Sequence, residues 1–315
     1  MRRTTRALQF CLIGAGLYGG QAAQAYDLPV VNLGLTTFLD GGLPAGPGWY
    51  IQEYFQDYRA DHLRDGDGKD LPLPDQDLHY QVAVTQLSYL SNLRLGNASL
   101  GLNAVLPVVT SMDVDDGLDN AALKAQSGMG DLLVGPFIQF DPIMGEAGPR
   151  FIHRIELQVN LPTGKYDNDH AINPGANAWS FNPYWAATYW FTPKWTASIR
   201  AHYLYNGKND DPNYSYGGAD DIQAGQALHA NLATAYAVTP QLRLGLNGYW
   251  LNQFTDTRID GHEVSGRREK VWAIGPGGMY SFSQDDHLFF NAYFEQDVEN
   301  RPDGSRIQVR YVHHF

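Results

Sequence analysis

Several short stretches of the chain pair residue types that do chemistry elsewhere, and their spacing decides what each can do. Pro162-Thr163-Gly164-Lys165 has the ending of a phosphate-cradling loop. Val159 stands where that loop needs its first glycine, Tyr166 follows the lysine, and no helical pattern follows, so the stretch reads as a polar loop. Gly14-Ala15-Gly16-Leu17-Tyr18-Gly19 matches the dinucleotide fingerprint, with Asp40 about 20 residues further on. Gly20 and then Asp27-Leu28-Pro29 prevent the helix that would have to receive the pyrophosphate. Asp113-Val114-Asp115-Asp116-Gly117-Leu118-Asp119 and Asp65-Gly66-Asp67-Gly68-Lys69-Asp70 look like calcium loops. Both place glycine wrongly for an EF-hand and lack its flanking helices, which leaves loose divalent-ion binding as their one metal chemistry. Asp169-His170 has no nucleophile near it in sequence, and Gly-x-Ser-x-Gly is absent. His313 and His314 point to opposite faces of a strand and cannot chelate together. The expectation is no catalytic residue, no cofactor and no metal site, hence no enzyme.

What remains is a polar set that recurs at every second residue. Arg154, Glu156, Arg200, His202, His229, Asn231, Arg243, Glu295, Arg306 and Arg310 each lie opposite apolar neighbours in stretches of period two. Only strands can position them so. At 151–161, Phe151, Ile155, Leu157, Val159 and Leu161 oppose Ile152, Arg154, Glu156, Gln158 and Asn160, with His153 interrupting the apolar face. The same alternation runs through 195–206, 242–250, 288–296 and 306–315. Weaker versions complete a set at 48–59, 78–90, 98–108, 129–140, 151–161, 181–191, 195–206, 225–238, 241–253, 269–282, 286–297 and 305–315. That is about twelve strands, each near the roughly 9–11 residues that a tilted strand needs to cross a bilayer.

The connections sort by parity. Odd-numbered ones are long and rich in Asp, Asn, Gly and Pro: 60–77, 109–128, 162–180, 207–224, 254–268 and 298–304. Even-numbered ones are mostly short, as in Phe191-Thr192-Pro193-Lys194, Val238-Thr239-Pro240-Gln241 and Ser283-Gln284-Asp285-Asp286; 91–97 and 141–149 are longer. Long outer loops and short periplasmic turns are the signature of an outer-membrane barrel. The predicted fold is all-β, a transmembrane antiparallel β-barrel of about 12 strands. Its apolar face meets lipid, because an outward Arg at midplane costs about 2–4 kcal/mol. The polar set therefore faces inward, either as charge rings of a pore or as an ion-pair network that fills the interior.

Composition agrees with export. Arg2, Arg3 and Arg6 precede an apolar stretch, and Ala23-Gln24-Ala25 offers a small-x-small cleavage site, so 1–25 reads as a signal peptide. Its removal takes away Cys11, the one cysteine, and moves the formal charge from −12 to −15. A disulfide scaffold is excluded, and so acidic a chain is a poor partner for nucleic acid. With 19 Tyr, 14 Phe and 7 Trp the chain is no solvated coil. Residues 26–47 lack alternation yet carry Leu28, Val30, Val31, Leu33, Leu35, Phe38 and Leu39. They are expected to be an N-terminal periplasmic or luminal segment, entering the barrel from the periplasmic side or packing under its rim. Residues 48–315 form the barrel, which ends on the aromatic Phe315 as such barrels commonly do.

Specific blocks also carry a resemblance. Asp27-Leu28-Pro29, Thr36-Thr37-Phe38-Leu39-Asp40-Gly41-Gly42 and Gly46-Pro47-Gly48-Trp49-Tyr50 open it. Gly130-Asp131-Leu132, Val134-Gly135-Pro136, Leu161-Pro162-Thr163-Gly164-Lys165-Tyr166, Asn173-Pro174-Gly175 and Trp179-Ser180-Phe181 continue it. Gln223-Ala224-Gly225-Gln226-Ala227, Leu244-Gly245-Leu246-Asn247-Gly248-Tyr249, Ile274-Gly275-Pro276-Gly277, Glu299-Asn300-Arg301-Pro302-Asp303-Gly304 and Arg310-Tyr311-Val312-His313-His314-Phe315 close it. Over nearly the whole mature chain the sequence resembles the outer-membrane proteins linked by name to the meta-pathway of phenol degradation. That resemblance implies a twelve-stranded channel through which small aromatic or other hydrophobic compounds enter. The expected function is passive uptake of such molecules, with outer-membrane lipids, the solutes and the barrel assembly machinery as partners. The alternative is a structural or adhesive barrel whose acidic loops bind ions and which transports nothing.

Overall fold

The structure is a computed structural model that describes residues 27–29 and 31–315. The expected signal peptide at 1–25 lies outside the described residues. Twelve barrel strands follow in order: β1 Gly48–Leu63, β2 Asp77–Leu95, β3 Ala98–Asp115, β4 Leu132–Phe140, β5 Gly148–Glu156, β6 Tyr184–Trp190, β7 Trp195–Asn206, β8 Ala227–Ala237, β9 Leu242–Gln253, β10 Lys270–Ser281, β11 Asp286–Glu299 and β12 Pro302–His314. Short pieces at Gly128–Met129, Val159–Leu161 and Ser180–Phe181 extend β4, β5 and β6 toward the long loops. Every neighbour pair is antiparallel, and β12 closes on β1 from Tyr50↔His314 to Leu63↔Pro302. Closure leaves no strand edge unpaired, the condition for a sheet to stand in lipid.

Alternation decides the two faces. Leu232, Leu246, Trp250, Trp272, Ile274, Phe290, Phe294 and Ile307 point outward and are exposed, whereas Asn231, Asn247, Tyr249, Ala273, Asn291, Tyr293, Arg306 and Gln308 are buried. The start of β1, the C-terminus and the turns at 96–97, 191–194, 238–241 and 282–285 share one end, which by the parity of loop length is periplasmic. The opposite end carries the long connections at 64–76, 116–127, 162–179, 207–226 and 254–269. There Ile222–Gln223, Thr257–Ile259 and His262–Val264 form a small separate sheet, and Tyr214–Tyr216 is the one helical turn among the described residues. The sixth connection departs from the expected long loop. Asn300 and Arg301 alone join β11 to β12, because both strands run on past the predicted ends.

The wall is broken at one level. Pro136 and Pro183 have no N–H to donate to the ladder, and β5 pauses at Leu157 and Gln158 while β6 pauses at Asn182 and Pro183. The loosened backbone is re-satisfied locally, Leu157 N donating to Pro136 O (3.0 Å) and Asn182 N to Gln158 O (2.8 Å). Alternation continues through the break, so Gln158 and Asn182 both face into the barrel and are buried.

Candidate functional site in the barrel lumen

Residues Arg306, Gln308 and Arg310 alternate along β12, so all three project inward. Facing them, Glu295 on β11 accepts from the Tyr58 and Tyr249 hydroxyls (both 2.6 Å) and from Gly304 N (2.9 Å). Arg306 lies over the rings of Tyr58 (5.4 Å) and Tyr249 (5.3 Å), and Arg310 over Phe289 (3.7 Å). Across the lumen Glu156 accepts from Tyr184 (2.6 Å), Gln158 (3.1 Å) and Asn103. The two carboxylates are thus held mainly by neutral donors. Two stacked imidazoles, His202 and His229, lie 4.2 Å apart in register on β7 and β8. His229 reaches Asn182 (3.1 Å).

Of the ten polar residues singled out in the sequence, Arg154, Glu156, Arg200, His202, His229, Asn231, Glu295, Arg306 and Arg310 are buried side chains of the interior. Arg243 is not among them. It sits at the periplasmic end of β9, half-buried, and directs Nη1 at the Lys194 carbonyl (3.4 Å).

The interior is occupied by the chain itself. Residues 31–47 thread the barrel, and side chains of the wall hold their backbone. Asn231 accepts from Gly34 N (2.8 Å) and donates to Asn32 O (2.8 Å), while Tyr293 donates to Gly34 O (2.8 Å). Gly34 has φ +73°, a left-handed turn that a side chain would strain, and a Cβ there would meet the Tyr293 ring at 3.0 Å. Arg306 donates to Leu33 O and Gln308 to Leu35 O (3.2 Å). Lower down, Asp40 receives a bidentate pair from Arg200 (2.8 and 2.6 Å), and its carbonyl accepts from Thr188 (2.5 Å). Gln139 donates to Gly41 O (2.8 Å), and Tyr50 to Gly46 O (2.5 Å) at the periplasmic end.

Asp27 lies at the other mouth. It pairs with Arg267 and Tyr216 of the long loops, and its N–H and that of Leu28 donate to Glu269 (2.8 and 2.6 Å). Entry from the periplasmic side is what the connection at Pro47 and Gly48 requires. The described segment runs the length of the lumen, from Gly46 at the periplasmic end to Asp27 at the loop end.

One sector of the wall is apolar on its inner face too. Val82 and Val84 of β2, Val105 and Val109 of β3 and Leu133 of β4 are buried beside Tyr54 and pack with Leu35 of the threaded segment. Sequence reasoning missed this sector because β2 turns valines inward while Gln81 and Thr85 face out, and β3 is apolar on both faces from Ala104 to Val109, so the alternation fades. That loss of period was the signal, since a strand covered on both faces reads as a continuous apolar run. Between the valines and the segment lies a cavity of about 100 Å³, lined also by Tyr80, Met112, Asn160 and Arg306. This is smaller than the apolar cavity of about 150 Å³ that holds a benzene molecule, so an aromatic ring enters only as side chains of the threaded segment give way.

The acidic loops are spoken for. Asp116 accepts from the N–H groups of Leu118 (2.8 Å), Asn120 (2.9 Å), Ala122 (2.7 Å) and Leu123 (3.0 Å). Burial pushes this carboxyl up, yet the four N–H bonds outweigh it and hold the group below its ordinary value. Asp65 Oδ1 likewise accepts from Asp67 N and Lys69 N (both 2.9 Å). These oxygens brace their own loops.

A sealed twelve-stranded barrel with a threaded, partly apolar lumen invites comparison with known proteins. Residues 60–311 match the family described as "Putative MetA-pathway of phenol degradation". The chain belongs to this family. Its structure superposes on an outer-membrane channel from Pseudomonas putida F1 with a TM-score of 0.74 at 22% identity, covering 87% of this chain and 97% of that one. The TodX monoaromatic hydrocarbon channel gives a TM-score of 0.46 at 10% identity, over 86% of this chain and 91% of that one. The toluene transporter TbuX of Ralstonia pickettii gives 0.41 at 10% identity, over 93% and 95%. No curated protein sequence matches the chain. Closure, the apolar outer belt and the channel-type fold make the family member an outer-membrane β-barrel.

Proposed function

We propose that this family member is a passive channel for small hydrophobic or aromatic molecules and not a catalyst. The carrying observation is the cavity between the valine sector and the threaded segment, an apolar space in a lumen that also carries many charged and amide groups. Polar lumens suit hydrated solutes, whereas a solute that enters here exchanges water for valine, leucine and tyrosine surface, gaining about 25 cal/mol per Å² buried. The charged set of Arg154, Glu156, Arg200, Glu295, Arg306 and Arg310 would order the remaining path and hold the segment. Family membership supports the aromatic class. The competing reading, an adhesive barrel with ion-binding loops, is weakened by Asp116, whose oxygens are taken by backbone donors. The exposed terminal Phe315, docked through its N–H on Trp49 O (3.0 Å), would serve the barrel assembly machinery. Proteoliposome uptake across a panel of aromatic and aliphatic solutes tests the function. Aromatic entry above protein-free vesicles, with sugars of similar size slower, is expected; no solute entering faster than through lipid alone would sink it.

A further inference from the structure

The luminal cavity has a feature that a conduit for plain hydrocarbon does not need. Arg306 borders it, is 6% exposed, and has no carboxylate within 4.0 Å among the described residues. Its nearest carboxylate chemistry, Glu295, is already bonded to two tyrosines and a backbone N–H. Nη1 of Arg306 goes to Leu33 O, and Nε is buried with no partner. Leaving a buried polar atom unmet is costly, and more so for a charged group. Natural interiors keep such atoms where a ligand or water meets them. The one carboxylate in the lining, Asp131, gives its two oxygens to Gly164 N and Ala176 N (both 2.8 Å) and so is engaged with its own loops.

We infer that the cavity binds a small apolar oxyanion, its hydrocarbon body on Val82, Val84, Val105 and Leu133 and its carboxylate or phenolate on Arg306. This deepens the proposed function and rests on it for the claim that such ligands are also cargo. A guanidinium presents donors in a fork that fits a carboxylate, which an ammonium does not. The apolar wall demands the body, since an inorganic or very small anion would leave the valine surface uncovered. An uncharged analogue of the same shape would keep the wall contacts and lose the charge-assisted bonds.

Equilibrium dialysis of the folded, detergent-solubilised protein at pH 8 tests this with benzoate, benzyl alcohol and acetate, against protein-free micelles. Benzoate is expected to bind at least tenfold tighter than benzyl alcohol, and acetate is expected not to displace it. Arg306→Gln should remove the difference between benzoate and benzyl alcohol, and Arg306→Lys should restore only part of it. Val105→Trp, which fills the cavity and leaves Arg306 in place, should weaken both. Equal binding of benzoate and benzyl alcohol to the native protein overturns the inference, as does displacement by acetate. If Arg306→Gln does not fold, the native comparison and Val105→Trp still decide. Failure of the channel reading looks different: benzoate then binds with the stated preference while no aromatic solute crosses proteoliposomes. Solute entry without benzoate preference sinks the inference alone.

Discussion

Asp116 shows what a single carboxylate does in a long loop. Its folded-state acidity is raised by four backbone N–H bonds against the upward push of burial, so its pKa lies below the unfolded value of about 3.9. A depressed carboxyl stabilises the fold fully above the unfolded pKa and loses that contribution as pH falls through the folded one. Limited proteolysis of the loop at 116–127 should therefore be flat from pH 7 to about 5 and rise below about 4. Asp116→Asn should be cut readily across the range, because an amide cannot accept from all four donors as a carboxylate does. At the same scale, Arg200→Gln strips Asp40 of its bidentate partner inside the barrel. Breaking a buried pair costs about 3–5 kcal/mol, enough to open a locally docked segment. Cys11, the one cysteine of the sequence, falls in the expected signal peptide, so Thr37→Cys, at a position 3% exposed, reports opening by maleimide labelling. Labelling should be slow in the single variant and at least tenfold faster with Arg200→Gln. Which residues face inward was legible wherever polar and apolar groups alternate, as at Arg154 and Glu156. What each inward residue touches was not, because Tyr58, Glu295 and Tyr249 meet from three strands, 237 and 46 positions apart in their pairings.

Among elements, the strands were legible from period two, and the break in β5 and β6 was not. It arises from Pro136 on β4 and Pro183 at the start of β6, the two strands that flank β5, a relation that appears only once register is known. The break predicts unlike effects for adjacent substitutions. Leu157 is outward and half exposed, so Leu157→Arg sets a charge against lipid at about 2–4 kcal/mol. Gln158 is 2% exposed and bonded to Asn32 (3.3 Å) and Glu156 (3.1 Å) in a filled interior. Leu157→Arg should lose the heat-modifiable band that marks an assembled barrel. Gln158→Arg should keep that band and displace the segment at Asn32, seen as faster labelling of Thr37→Cys. Equal loss of the band would mean that the interior at this level tolerates no displacement of the segment. Loop parity carried the same kind of information and failed once, at Asn300 and Arg301. Polar composition marked 298–304 as loop, but where the two strands project above the bilayer their outer face is wetted, and only Val298 and Pro302 are left to mark the buried one.

For the whole molecule the decisive term is the segment that threads it. Leu28, Leu33 and Phe38 are each at most 2% exposed, and full burial of such side chains stabilises by about 1.5–3 kcal/mol apiece. Their backbone adds bonds to Asn231, Tyr293, Gln308, Gln139 and Thr188 on strands all around the wall. A segment so anchored is a fixed filler of the lumen and not a loose tail. Sequence exposed its apolar character and its lack of strand pattern, but not its reach, since nothing local shows that Asp27 meets Arg267 and Glu269. Deleting Asp27 to Gly42 behind an intact leader removes that filler while leaving every barrel strand whole. The arginines it leaves behind, Arg200 and Arg306, would then face water and hydrate at little cost, so the barrel should still assemble. Single-channel conductance should rise several-fold in planar bilayers. The direction of selectivity should change as well. The deletion removes Asp27 and Asp40, two acids, and no base, leaving Arg154, Arg200, Arg306 and Arg310 to set the field of a wider pore. Reversal potentials in a salt gradient should shift toward anions relative to the intact protein. An assembled deletion with unchanged conductance would show that the wall side chains alone restrict the pore.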